Sequence, residues 1–264
     1  MSAAATIDPS KPSLTTNDSA VLQALFDAES SPSSGVTIDS SLPQLPAYLN
    51  ITPKEHEYLQ SREKEIISTL SSTPNPATET IQSAIDSLDK LIKNHPTYPS
   101  AYANRAQALR MLIESSTSAL PSGSSEEPEP LFAPVNTPHL STLLTSLSQS
   151  ITLSTPRSPA DPVSSLQARL LADTHTHRAY LLLKISRHLK SDNNDNTAGI
   201  PEKLRYLGPD ELEEMASRDF FFGGRYGNKV AQQMAVQTNP YAKMCGAIVK
   251  EALRKEIEGA GFIR

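Results

Sequence analysis

Tryptophan is absent from the 264 residues, aromatics make up 5% and hydrophobic residues 38%. The apolar material is therefore mostly Leu, Ile and Ala spread thinly along the chain, which suits many small helix contacts better than one thick sheet core. Glycine is also scarce, at 10 residues against 21 prolines. That leaves little for phosphate-cradling loops or tight β-hairpins, and no GxGxxG, P-loop or GxSxG motif occurs. The single cysteine, Cys245, excludes an intrachain disulfide, a CxxC pair and a multi-thiolate zinc site. It also makes a reducing compartment the natural reading. Basic charge is in deficit, with 24 Lys and Arg against 29 Asp and Glu for a net charge of −5. Dispersed among more numerous carboxylates, these cations make no nucleic-acid footprint. Met1 to Pro12 lacks the apolar core of a signal peptide, and no run approaches the roughly 18 apolar residues of a membrane span. The expectation is a soluble protein of the cytoplasm or nucleus, with no nucleic-acid or membrane partner.

What is present is helical periodicity. Residues 1–16 are small, polar and proline-containing and read as disordered. Residues 17–50 read as a short helix, with Val21, Leu22, Leu25 and Phe26 on one face after Asn17-Asp18-Ser19, followed by an extended tether packed on the body. Over residues 51–223 the pattern is one of helical hairpins, opened by Thr52 as N-cap and Pro53 at the first helical position. Tyr58, Leu59, Ile66 and Leu70 mark the first helix, and Ile81, Ala84, Ile85, Leu88, Leu91 and Ile92 the second, stopped at Asn94-His95-Pro96. Tyr102, Ala106, Leu109, Leu112 and Ile113 mark the third. No packed element is expected between it and the next helix, which runs through Leu140, Leu143, Leu147 and Ile151 to Thr155-Pro156. A helix from about Val163 to His188 follows, then one opened by Pro209-Asp210 and broken at Gly223-Gly224. Residues 224–264 read as capping helices: a short one near Lys229 to Val236, and a last one from Asn239-Pro240 through Tyr241, Met244, Cys245, Ile248 and Leu253 to Ile257. The fold class is all-α, with no strand.

Ala84, Leu88, Leu91 and Pro96, followed by Tyr102 and Ala106, have the spacing of a tetratricopeptide repeat from its second helix into the next first helix. Leu144, Ile151 and Pro156 echo that segment, and Ala179 and Ala216 fill the small positions of a third unit. In this register the long polar insertions 71–78, 117–136 and 191–200 all join a first helix to its own second helix. The predicted architecture is an α-α superhelix of about three degenerate repeats with an N-terminal segment and C-terminal caps.

The chain resembles the tetratricopeptide repeat protein 36 family. The resemblance is carried by Asn17-Asp18 with residues 20–26, by residues 101–108, by Arg218-Asp219-Phe220 and by Ala231-Gln232 with Asn239-Pro240-Tyr241-Ala242 and Met244-Cys245. The acidic, Ser-rich and Asn-rich insertions and a longer last helix mark an enlarged, divergent member. The resemblance implies a non-enzymatic protein-binding scaffold without cofactor. Its relatives are associated with Hsp70-type chaperones and with tyrosine metabolism through protection of a catabolic dioxygenase.

Candidate functional residues follow from the same register. A concave partner groove is expected along Asn104, Gln107, Met111, His177, Tyr180 and Lys184, open to a client or filled by the chain's own termini. In a chaperone-tail clamp of the kind built from Lys, Asn and Arg on successive first helices, Asn104 takes the middle repeat's position. Tyr58 and Arg62 stand where the first repeat would place Lys and Asn, and Asp173 and His177 where the third would place Lys and Arg, and Asp173 has the wrong sign. Asn104 serves equally as a structural hydrogen-bonder. His175 and His177 are the seed of an alternative reading as a small all-α enzyme or metal protein. Residues two apart on a helix point away from each other, however, and a metal site is not expected. Cys245, on an apolar face, reads as a buried thiol and not as a nucleophile. Arg218-Asp219 is either a surface pair or a buried ion pair locking the last repeat, and Asn239 reads as a cap. Ser31-Pro32, Thr73-Pro74, Thr137-Pro138, Thr155-Pro156 and Ser158-Pro159 fit proline-directed phosphorylation or plain turn chemistry at helix ends.

Overall fold

The computed structural model describes residues 36–115, 129–191 and 197–239, together with 250, 251, 254 and 255. Residues 1–35 with the expected Leu22–Leu25–Phe26 helix, the insertion core 116–128, and most of the last helix, including Pro240, Tyr241 and Cys245, lie outside the described residues. The chain divides into two compact units, Met1–Val36 and Thr37–Arg264, and the described elements belong to the second.

Eight α-helices occur among the described residues: α1 (Pro53–Ser71), α2 (Thr78–Asn94), α3 (Pro99–Ser115), α4 (Thr137–Ser154), α5 (Ser165–Ser191), α6 (Glu202–Arg205), α7 (Pro209–Arg225) and α8 (Lys229–Thr238). Their ends are set locally. Thr52 accepts a hydrogen bond from the Glu55 amide at 3.3 Å with Pro53 in the first turn. Ser164 accepts from the Gln167 amide at 3.1 Å, and Asn228 from the Ala231 amide at 3.0 Å. α2 ends at the residue before His95-Pro96 and α4 just before Thr155-Pro156, because a proline disfavours helical backbone in the residue that precedes it. The fold class is all-α, and the only extended pairing described is one isolated parallel bridge between Ile38 and Val163.

The long helices pack in chain order, with α5 against α7 past the short α6, and the ends of two such pairs show them antiparallel. His95 at the end of α2 meets Glu55 at the start of α1, and Lys190 at the end of α5 meets Asp210 at the start of α7. Ala84, Ala106, Ala179 and Ala216 are all buried at these contacts, where a larger side chain would hold the helix axes apart. One core cluster runs from Leu70 and Leu88 through Leu109, Leu143 and Ile185 to Phe220 and Ala231. A smaller one, around Leu59, Leu91, Tyr98 and Ala101, is roofed by Leu45 and Leu49 of the segment before α1. That segment is tied down by the Asp39 amide to the Val163 carbonyl (2.9 Å), the Ser164 hydroxyl to the Gln44 carbonyl (2.7 Å) and the Tyr48 hydroxyl to the Thr155 carbonyl (2.8 Å).

Two sequence expectations are corrected. Gly223 and Gly224 do not break α7, which continues to Arg225. A Cβ on Gly223 would stand 2.7 Å from the Thr176 hydroxyl and 3.1 Å from Ala231 Cβ, and one on Gly224 2.7 Å from Gln232 Cγ. These glycines let α7 approach α5 and α8, and the turn falls at Gly227, whose φ of 102° suits glycine. The stretch before α4 is also packed. Two 3-10 turns, Pro130–Phe132 and Pro134–Asn136, bury Leu131 and Phe132, and Phe132 stacks on His188 at 4.0 Å. Gly199 of the next insertion lies against the Phe132 backbone so closely that a side chain there has no room. The Thr137 hydroxyl reaches the Ala198 carbonyl at 3.3 Å, so the two insertions meet. Their buried aliphatics, Leu131 and Ile200, are what the polar flanking composition hides.

Candidate functional site

An open cleft of about 930 Å³ runs between α1, α3, α5 and α8. On α3, residues 100, 103, 104 and 107 share one face, and on α5, residues 166, 170, 173, 177 and 180 do the same, so two helical stripes form facing walls. Ile67 of α1 and Val230 and Met234 of α8 add apolar edges, with Leu147 and Phe220 at the floor. Four of the six expected groove residues, Asn104, Gln107, His177 and Tyr180, line it. The other two do not. Met111 packs against the core, and Lys184 is drawn off by an ion pair with Glu129, its ammonium 5.1 Å from the Tyr180 ring.

Glu63 anchors the α1 wall. Its carboxylate accepts from the Tyr98 hydroxyl at 2.9 Å and from the Asn104 amide. Burial pushes the Glu63 carboxyl above its ordinary value, partly opposed by hydrogen bonds from Ser100, Tyr98 and Asn104. Burial, and then the Glu63 charge, pushes the Tyr98 phenol up. Asn104 is therefore tied to its own chain. Tyr58 and Arg62, at the first-helix clamp positions, line a separate depression between α1 and α2, where Arg62 pairs with Glu65 at 2.6 Å. The side chain presented to the cleft from α1 is an acid one position on, so no carboxylate clamp forms there.

On the α5 wall, His177 is held neutral. Burial and then the positive charge of Arg110 push its pKa down to about 4, and its Nε2 atom is buried with no hydrogen-bond partner among the described residues. The Asp173 carboxyl is pushed up by partial burial, against the opposing charge of Arg169. Arg110 is itself paired with Glu114 at 2.8 Å. The cleft thus offers a neutral imidazole, amide groups and an apolar floor between a few balanced charges.

His175 and His177 are not brought together. His175 is buried, and its Nδ1 stands 2.8 Å from Asp219 Oδ1. Arg178 clamps the same carboxylate with Nε at 2.6 Å and Nη2 at 2.7 Å, and its Nη1 reaches the Ser148 hydroxyl at 3.1 Å. Burial pushes the Asp219 carboxyl up, but the bonds from Arg178 and His175 outweigh it and hold the carboxyl below its ordinary range. Asp219 is indeed a buried ion-pair member, but its partner is Arg178. Arg218 is exposed and lies over the Phe222 ring at 5.9 Å. Among the described residues no group of three or more His, Cys, Asp or Glu is placed to hold a metal. Of the repeat-signature residues described, Ala84, Leu88, Leu91, Ala106 and Phe220 are buried, the Tyr102 hydroxyl donates to the Pro96 carbonyl at 3.0 Å, and Asn239 ends α8, while Pro240 and Tyr241 lie outside the described residues.

Sequence reasoning missed Glu63 and Arg178. Glu63 had a signal: it interrupts the buried stripe of Leu59 and Leu70 at positions where an apolar residue is expected. Arg178 had a weaker one, standing three residues after His175 on the same helix face.

These features define an all-α protein of consecutive helical hairpins with an open, mixed-polarity cleft on its first-helix side. The chain is 64% identical over 259 residues, 98% of its length, to the L-tyrosine degradation gene cluster protein hmgX of Aspergillus fumigatus, of which it covers 99%. It belongs to that protein's family. No protein-family model and no solved structure matches the chain, so the resemblance to the tetratricopeptide repeat protein 36 family rests on the residues quoted above. No helix among the described residues is long and apolar enough to cross a membrane.

Proposed function

We propose that this chain is a non-enzymatic, cytoplasmic interaction scaffold of tetratricopeptide type that serves L-tyrosine degradation by holding a tyrosine-catabolic enzyme. The observation that carries this reading is the cleft. It is large, open, walled by two parallel helical stripes and apolar at its floor, as a groove for a partner's peptide or helix is. The name of the Aspergillus relative supports the pathway. The family resemblance supplies the client class, a tyrosine-catabolic dioxygenase, and an Hsp70-type chaperone as the second partner. Chaperone contact uses a surface other than a tail clamp, since Tyr58 and Arg62 line a separate depression and the charged group that α1 turns to the cleft is an acid, Glu63. The reading as an enzyme or metal protein is the weaker one: His175 is committed to Asp219, and Cys245 lies outside the described residues.

Affinity capture of the tagged full chain from native extract, with partners quantified by mass spectrometry, tests this. The dioxygenase or the chaperone is expected above background with wild type. Leu170→Asp, which charges the cleft wall, is expected to remove the dioxygenase while leaving the circular dichroism spectrum unchanged. Equal capture by wild type and Leu170→Asp, or capture of neither partner, overturns the proposal.

A further inference from the structure

The Ser-Pro and Thr-Pro steps of the chain are not alike in the structure. A protein kinase that acts before proline takes the hydroxyl and the residues after it as non-helical chain, so backbone shape and exposure decide which steps are open. At Thr52 and Thr137 the proline stands in the first turn of a helix, and both hydroxyls are engaged: Thr52 caps α1, and Thr137 donates to the Pro134 and Ala198 carbonyls. Ser158 is half-buried in a turn, its amide donating to Asp161 Oδ2 at 3.0 Å and its hydroxyl accepting from the Ala160 amide at 3.4 Å. A phosphate there would face the Asp161 carboxylate. Thr73 is exposed in the loop after α1, but no hydrogen bond described depends on its hydroxyl. Thr155 is both open and consequential. It is exposed, its backbone is extended (φ −66°, ψ 128°), and residues 155–162 are not helical.

Thr155 closes α4 at the point where the segment before α1 is fastened. Its hydroxyl and its amide both donate to the Ile151 carbonyl, at 2.7 and 2.8 Å. Its own carbonyl and that of Leu153 accept from the Tyr48 hydroxyl, at 2.8 and 3.2 Å. Arg157 lies over the Tyr48 ring at 5.4 Å and makes no ion pair among the described residues. Tyr48 belongs to the 3-10 turn Ala47–Leu49, which with Leu45 packs on the core around Leu59 and Tyr98, and Tyr98 in turn donates to Glu63 of the cleft.

We propose that Thr155 is a phosphorylation site for a proline-directed protein kinase, and that its phosphate loosens residues 45–50 from the end of α4. In the transfer the Thr155 oxygen attacks the terminal phosphorus of a nucleoside triphosphate. The new O–P bond forms, the bond to the nucleoside diphosphate breaks, and the hydroxyl proton passes to the kinase's base. The product has lost its donor to Ile151 and carries about two negative charges at neutral pH. That charge stands at the negative end of the α4 dipole, beside the carbonyls that Tyr48 must reach, where like charge is destabilising. Arg157, two residues on, is drawn to the phosphate and leaves the Tyr48 ring. Both fastenings of Tyr48 weaken together, while Thr37 and Asp39 stay tied to Val163 and Gln44 to Ser164.

Hydrogen exchange on the full chain carrying phosphothreonine at 155, installed by codon reassignment, tests the effect without any choice of kinase. The Leu49 and Asn50 amides, which close the turn at Ala47–Leu49, are expected to exchange about tenfold faster than in the unmodified chain, while the Asp39 amide, bonded to Val163, keeps its rate. Tyr48→Phe is expected to give the same acceleration without phosphate and to leave the phosphate little to add. Thr155→Val, which removes the hydroxyl and adds no charge, is expected to stay within about twofold of wild type. Unchanged or slower exchange at Leu49 and Asn50 overturns the proposal, and so does equal acceleration at Asp39, the mark of general unfolding. The site itself is tested by mass spectrometry of the chain purified from its native cells with phosphatases inhibited. Phosphate on Thr155 is expected, and its absence under every one of several growth conditions overturns the proposal. These readouts do not depend on what the cleft binds, so their failure and that of the Leu170→Asp capture are told apart.

Discussion

Replacing Asp219 with alanine removes the carboxylate that holds α5 to α7. Its side chain is 6% exposed and that of His175 8%, while Arg178 keeps 25% of its surface in water. Removing one member of a buried pair costs about 3–5 kcal/mol because the other charge is left without a partner. Arg178 can turn part way to solvent, which places the expected loss near the lower end, at about 3 kcal/mol. For a domain of this size that corresponds to a fall in Tm of about 6–12 °C. Urea unfolding at neutral pH followed by circular dichroism reads it, and Asp219→Asn separates charge from shape. The sign with pH follows from the direction of the shift. The folded carboxyl is held below its ordinary range, so its contribution is present above the unfolded value and disappears as pH falls through the folded one. The gap between wild type and Asp219→Asn should therefore be widest near neutrality and close in acid. A loss under about 1 kcal/mol at neutral pH, the range of an exposed pair, would refute the reasoning.

His177, with its pKa pushed from the ordinary 6.5 to about 4, makes the folded chain bind fewer protons than the unfolded one between those values. Stability should fall as pH drops through that window, and His177→Phe should flatten the profile; an unchanged slope in denaturant titrations at several pH values counts against a neutral, buried imidazole. Gly223→Ala should cost about 1–3 kcal/mol through overpacking against Thr176 and Ala231. Gly208→Ala, with nothing within 4 Å of the new Cβ, should stay within about 0.5 kcal/mol in the same melts. Phe132→Ala should cost about 3 kcal/mol and, by hydrogen exchange, speed exchange in residues 129–136 and 197–200 together. Faster exchange in only one of the two segments would separate the insertions that the structure joins.

The sequence by itself determined the helices and most of their ends. Caps such as Thr52-Pro53, stops such as His95-Pro96, and stripes such as Ile81, Ala84, Ile85 and Leu88 are readable because helix geometry repeats over three and four residues and needs no distant partner. The stripes of α3 and α5 also placed Asn104, Gln107, His177 and Tyr180 on one cleft. Tertiary structure decided which polar groups are spent inside the fold and which remain for a ligand. Glu63 takes its donors from 35 and 41 residues away, and Asp219 from 41 and 44. A charge acquires its partner only when helices close on each other, and that distance leaves no periodic trace along the chain. The same reason turned the Gly223-Gly224 pair from an expected break into a contact surface. A glycine looks alike in sequence whether it frees the backbone or makes room for a neighbour, and the approach of Thr176, Ala231 and Gln232 settles which.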